Sequence, residues 1–149
     1  MRISAKEDYA VRAAVELAAA APATVKREQI ARAQEIPLAF LENILLELKR
    51  AGIATAQRGP EGGYRLGRPA AEISVADVVR AVSGPLATVR GVRPPALQYG
   101  GTAEPLQDVW IALRANIRAV LESVTLADVA AGTLPRAVRS LADQPLARD

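Results

Sequence analysis

The sequence contains no cysteine and no histidine. Without cysteine there is no disulfide, no thiolate cluster and no cysteine nucleophile. Without either residue there is no zinc site of the Cys/His type and no triad built on a histidine base. Aromatic residues are also scarce, 3% of the chain, although half of all residues are hydrophobic. The core must therefore be aliphatic, and the abundance of alanine and leucine favours helices, which cost those residues little entropy. No apolar run is long enough to cross a bilayer: the longest, Leu17 to Pro22, is a fraction of the ~20 residues a membrane helix needs. After Arg2 and Lys6 the chain alternates charges and does not form the apolar segment of a secretion signal. These features predict a soluble, cytoplasmic protein.

Charge is unevenly placed. The net charge is +3, and all of it lies before Pro69, where eleven Lys/Arg face eight Asp/Glu; the remainder is balanced. A polyanionic partner would be met by the N-terminal part.

Ser4 and Glu7 stand in the capping-box spacing that satisfies free amides at a helix start. Tyr9, Ala10, Ala13, Ala14, Leu17 and Ala18 follow at helical spacing, which predicts a helix over about 4–20. Thr24 offers a cap for a short helix over 26–34. Pro37 suits the first turn of a third helix ending at Arg50, with Leu38, Leu41, Leu45 and Leu48 on its inner face and Gly52 beyond its end. Two short helices joined by a brief turn form a helix-turn-helix pattern. With Leu38 and Leu41 turned inward, Ala39, Phe40, Glu42 and Asn43 are left outside at the start of the second of these helices. There they can meet bases in a major groove: asparagine with adenine, glutamate with cytosine N4, alanine and phenylalanine with a thymine methyl. On this segment alone, a plain three-helix core with Phe40 tucked inside explains the pattern equally well.

The next stretch, "QRGPEGGYRL" from Gln57, favours the first reading. Short extended segments over 53–56 and 64–66 flank it as a hairpin. Gly59, Gly62 and Gly63 permit positive φ and close backbone approach, and Pro60 fixes part of the turn. Arg58 on the tip of such a wing can enter a narrow minor groove, where the negative potential is enhanced; the competing reading is an ordinary hairpin with a solvated Arg58. "GPEGG" lacks the following helix and the Lys-Ser/Thr pair of a phosphate-binding loop. Glu7 and Asp8, in the first turn of a helix, favour the helix dipole over acid–base work. No catalytic constellation emerges, and no enzymatic activity or cofactor is expected.

Ser74 and Asp77 begin a fourth helix through Val82, and Gly84 and Pro85 stop it. Residues 85–104 read as a loop. From Leu106 to Val124 the apolar residues Leu106, Val109, Trp110, Leu113, Ile117, Val120, Leu121 and Val124 form one continuous stripe. A helix this long exceeds what a winged helix needs. Packing on its own domain is one explanation; a homodimer interface of Leu106, Val109, Trp110, Leu113, Ile117 and Leu121 is the favoured one. Thr125 caps a last short helix, and the tail beyond Pro135 is expected to fray.

Taken in order, "MRISAKEDYAVRAAVELA", "IPLAFLENILLELKRAGI", "RGPEGGYRL", "ISVADVVRAV", "LQDVW" and "VTLADV" resemble the Rrf2 family of bacterial transcription regulators, from Met1 to about Gly132. The resemblance implies a mainly α fold with a small β-hairpin wing. With the elements read above, the chain divides into a DNA-binding domain over 1–84, the loop 85–104, a dimerisation helix with a short terminal helix over 105–134, and a flexible tail over 135–149. The resemblance further implies a homodimeric regulator, a repressor, on an inverted-repeat operator. Bases would be met by Ala39, Phe40, Glu42 and Asn43, the minor groove by the Arg58 wing, and phosphates by Lys6 and Tyr9. The sequence departs from the family in the loop before the long helix. Well-known members hold an iron–sulfur cluster there through three cysteines, some with a further ligand near Asp8; this loop has none, so no cluster and no metal are expected. An effector, if the protein has one, would be a small molecule near Trp110 and Tyr99. The alternative function is a winged-helix module that binds protein and not DNA.

Overall fold

The computed structural model describes residues 1–149. It is mainly helical with one two-stranded hairpin. Helix α1 (Ala5–Ala20) lies at the centre and touches α2 (Arg27–Gln34), α3 (Leu38–Arg50), α4 (Val75–Ser83) and α6 (Leu126–Ala131). Its buried face is small, Ala10, Ala13, Ala14 and Leu17, which lets four helices approach one axis. The Ser4–Glu7 capping box is formed in both directions, with hydrogen bonds of 2.7 and 3.1 Å. Helix α3 contributes Leu41, Ile44, Leu45 and Leu48 to the same core, joined by Ile30, Ile36, Ile53 and Ile73. Each fully buried leucine or isoleucine contributes about 1.5–3 kcal/mol through the area it removes from water.

Strands β1 (Ala54–Gln57) and β2 (Gly63–Leu66) pair antiparallel, Ala54 opposite Leu66 and Gln57 opposite Gly63. A third piece of chain extends this ribbon. Val25 exchanges two backbone hydrogen bonds with Tyr64, 2.7 and 2.8 Å, and so fastens the hairpin beside the start of α2. The sequence gives no periodic signal for a single bridging residue. Thr24, read as a helix cap, instead donates its hydroxyl to the Glu61 carbonyl on the hairpin (3.0 Å). The α2 start is served by Gln29, whose side chain accepts from the Lys26 amide at 2.9 Å.

Helix α5 (Leu106–Ser123) leaves this core, and the chain then returns to it. Val75 and Leu126 donate backbone hydrogen bonds to Val124 and Ile73, both 2.9 Å, so the starts of α4 and α6 are laced together. Leu126 is fully buried in the central core. A division that groups α6 with the long helix therefore does not follow the packing: α6 belongs with residues 5–83. The segment beyond Pro135, expected to fray, carries helix α7 (Arg136–Ala142), none of whose residues is buried. Leu38 also differs from expectation. As the first residue of α3 it remains 39% exposed, because the turn that would cover it lies before the helix begins; Ile44 takes the inner place. No helix is long and apolar enough to cross a membrane.

Candidate nucleic-acid interface

Ala39, Phe40, Glu42 and Asn43 all lie on the exposed face of α3. Phe40 is 59% exposed, so the explanation that tucked it into a three-helix core does not hold. Its ring is nevertheless held. The Tyr9 ring meets it edge-on with centroids 6.4 Å apart, and the Arg12 guanidinium lies 5.0 Å from the Tyr9 centroid. Lys6 pairs with Glu47 on α3 at 2.9 Å. Lys6 and Tyr9 thus flank the α3 surface from α1, and in the free chain both are engaged with it.

Arg27, the first residue of α2, crosses to α3. Its guanidinium meets Glu42 at 3.1 Å and the neighbouring Glu28 at 3.1 Å. The hydrogen bond to Glu28, then the charge of Glu42, raises the Arg27 pKa above its usual value. Glu28 is held below the usual carboxylate range, first by its own backbone amide and then by Arg27.

The hairpin rises beside α2, leaving a cleft of about 390 Å³ lined by Lys26, Arg27, Gln57 and the wing glycines. Arg58 is exposed and takes part in no ion pair within the chain. The glycines around it serve different ends. Gly59 has φ +101. Gly62 is required for closeness and not for positive φ: a Cβ there would lie 2.2 Å from the Gln57 carbonyl oxygen. At Gly63, φ is +148 and a Cβ would lie 2.6 Å from the Val25 carbonyl oxygen, the atom that fastens the ribbon. Pro60 completes the tip and is exposed.

Helix α5 buries none of its eighteen residues. Ile117 and Leu121 lean on Ala76, Val79 and Leu86 of the same chain, whereas Val109 is 54% exposed and Leu106, Trp110 and Leu113 are half-buried. The 85–104 loop is tied to this helix by polar contacts. The Gln107 amide donates to the carbonyls of Pro94, Pro95 and Leu97 at 3.3, 3.2 and 2.8 Å, and Arg114 donates to Leu86 at 3.3 Å. The Trp110 indole donates to the Tyr99 hydroxyl at 3.1 Å, so the two aromatics proposed to mark an effector site do meet.

These residues do not fit an iron–sulfur cluster. The loop offers no thiolate, and its carbonyls at Pro94, Pro95 and Leu97 are instead within hydrogen-bond reach of the Gln107 amide. Asp8 is paired with Arg12 at 3.0 Å, and no group of three potential metal-binding side chains gathers anywhere in the chain.

The family model described as "Rrf2: Iron-dependent Transcriptional regulator" matches residues 3–132. Rv1287 of Mycobacterium tuberculosis, named among HTH-type transcriptional regulators, is 53% identical over 150 aligned positions, covering 100% of this chain and 93% of its own. The regulator IscR of Cereibacter sphaeroides is 35% identical, covering 87% and 86%. Among solved structures, CymR of B. subtilis, described as a global cysteine regulator, superposes with a TM-score of 0.76 at 30% identity, covering 89% of this chain and 98% of that one. IscR of T. potens superposes with a TM-score of 0.73 at 27% identity, covering 100% and 97%.

Proposed function

The chain belongs to the Rrf2 family of transcriptional regulators and is not an enzyme, and from that premise we propose that it binds an inverted-repeat operator as a homodimer, without an iron–sulfur cluster. One observation carries the DNA contact. Arg27 at the start of α2 meets Glu42 on the exposed face of α3 and also lines the cleft beside the hairpin glycines, and Val25 fastens that hairpin, which carries the unpaired Arg58, next to the helix-turn-helix. Helix α3 enters the major groove, Arg58 the adjacent minor groove, and Lys6 and Tyr9 the phosphates that flank α3. The dimer rests on an eighteen-residue helix with an apolar stripe and no buried residue. A two-fold arrangement spaces the half-sites by roughly 34 Å or a multiple of it. A dimer bound across a promoter represses by occlusion.

Selection from a randomised duplex pool, followed by sequencing, tests the whole reading. The expected product is an inverted repeat, and light scattering should show two protomers per duplex. A single unrepeated site with one protomer would end the dimer proposal. Exposed Leu38, Phe40 and Leu46 on α3 favour a second reading, a protein-binding surface; failure to enrich any sequence would bring it forward.

A further inference from the structure

We propose that Arg27 is a positioning residue for base readout, which fixes the Glu42 carboxylate and influences operator choice through that carboxylate alone. The inference rests on the DNA-binding reading above. Glu42 is the single acidic side chain among the four outward residues of α3, and it must enter a groove walled by phosphates. A free carboxylate there would be repelled by every duplex, and its flexible side chain would have to be ordered at the moment of binding. Both costs are reduced in the free chain. Arg27 Nη1 meets one Glu42 oxygen at 3.1 Å, while the other oxygen remains free to accept from a cytosine N4 amino group. Glu28 holds the same guanidinium through Nε at 3.1 Å, so the fork is anchored from its own helix while it reaches across to α3. A guanidinium can keep its Nε hydrogen bond to Glu28 while its Nη1 stays in ion-pair contact with Glu42; a lysine ammonium has no such fork.

The pair is about half exposed, 46% at Arg27 and 47% at Glu42, and in water such a contact is weak. Its importance grows when DNA covers it and excludes solvent. The effect therefore belongs to the complex, and neither substitution should unfold the protein.

Five proteins decide the matter: wild type, Arg27→Ala, Arg27→Lys, Glu42→Ala and the double alanine variant, each passed through selection on the randomised duplex pool and then a salt titration on the enriched duplex. Glu42→Ala should relax preference at one base pair per half-site, by roughly tenfold. Arg27→Ala should relax the same base pair by several-fold, and should change nothing further once Glu42 is absent. Arg27→Lys should recover affinity but not the preference. If Arg27→Ala weakens every duplex alike, in both backgrounds, and lowers the salt slope by about 1, Arg27 is a phosphate contact and the inference is overturned. If wild type enriches no sequence, the DNA-binding reading fails, and the inference falls with it.

Discussion

Residues 5–83 and helix α5 solve the problem of apolar surface in opposite ways. The first region closes a core within one chain: Leu17, Ile30, Leu41, Leu45 and Leu48 are inaccessible to solvent, and α6 returns to add Leu126. Helix α5 has a comparable apolar stripe and buries nothing fully. Its loop is fastened by side-chain donors to backbone carbonyls and by a few buried side chains of its own, Leu86, Pro94 and Leu97. The first region closes its own core, whereas the second leaves an apolar stripe open, the surface on which the proposed dimer rests. In the proposed complex the groups that meet DNA sit on the closed part, and the symmetry of the dimer is left to the open part.

The largest expected effect tests the closed region. Leu45→Ala removes a fully buried side chain from α3 and should cost about 2–5 kcal/mol in urea unfolding, with an unchanged m-value. The loss should be the same at low and high protein concentration. A loss below about 1 kcal/mol would mean that the core collapses around the cavity and is less tightly determined than its burial suggests.

The open region should respond differently. Val109→Glu places a charge on the exposed part of the α5 stripe, where the isolated chain pays almost nothing for it. Light scattering should show a monomer, and operator affinity should fall by about a hundredfold, because two half-sites are then bound by unlinked protomers. Dimers that persist with Val109→Glu would place the interface elsewhere.

The contrast also explains what could be read from sequence. Helix boundaries were legible because Ser4, Ser74 and Thr125 each pair with an acid three residues on, and all three boxes form. The exposed residues of α3 were legible from the period of Leu41, Leu45 and Leu48. The Val25 bridge was not, because one residue carries no period. The Arg27–Glu42 pair was not, because it joins two helices whose relative placement no local pattern states. Leu38 misled because periodicity takes no account of a helix end. The assignment of α6 to the first core was hidden for the same reason as the Val25 bridge: it depends on where the chain returns after α5.

Within the closed region, the wing should be the sensitive edge. Gly62→Val sets a Cβ against the Gln57 carbonyl oxygen, where neither atom can move without opening the turn. We expect operator affinity to fall by about tenfold, with little change in global stability, since the tip lies outside the core. Arg58→Ala leaves the turn intact and should act through charge: the salt slope should fall by about 1, and the loss should be greatest on A·T-rich flanks with a narrow minor groove. An Arg58→Ala protein that matches wild type at every salt concentration would remove the wing from the DNA.

The smallest effect lies where the two regions are joined. Arg80 on α4 and Arg118 on α5 both hold Glu122, the latter at 2.9 Å. The Arg118 hydrogen bond first, and Arg80 second, lower the Glu122 pKa from its ordinary 4.5. A carboxyl group whose folded pKa is depressed contributes stability that is complete above its unfolded pKa and is lost as pH falls through the folded value. The contribution of Glu122 should therefore be constant near neutrality, begin to decline near pH 4.5 and disappear further into acid. Glu7 and Glu28 shift in the same direction, so wild type as a whole should lose stability on that limb, and only the difference between two proteins isolates this group. Glu122→Gln should be slightly less stable than wild type at pH 7, and the gap should close as the pH drops below about 4.5 or as salt is added. Amide exchange should locate the loss at the α4–α5 contact and not in the α1–α3 core. A gap that widened in acid would reverse the sign, and would mean that the charge on Glu122 strains the junction between the closed and the open region instead of holding it.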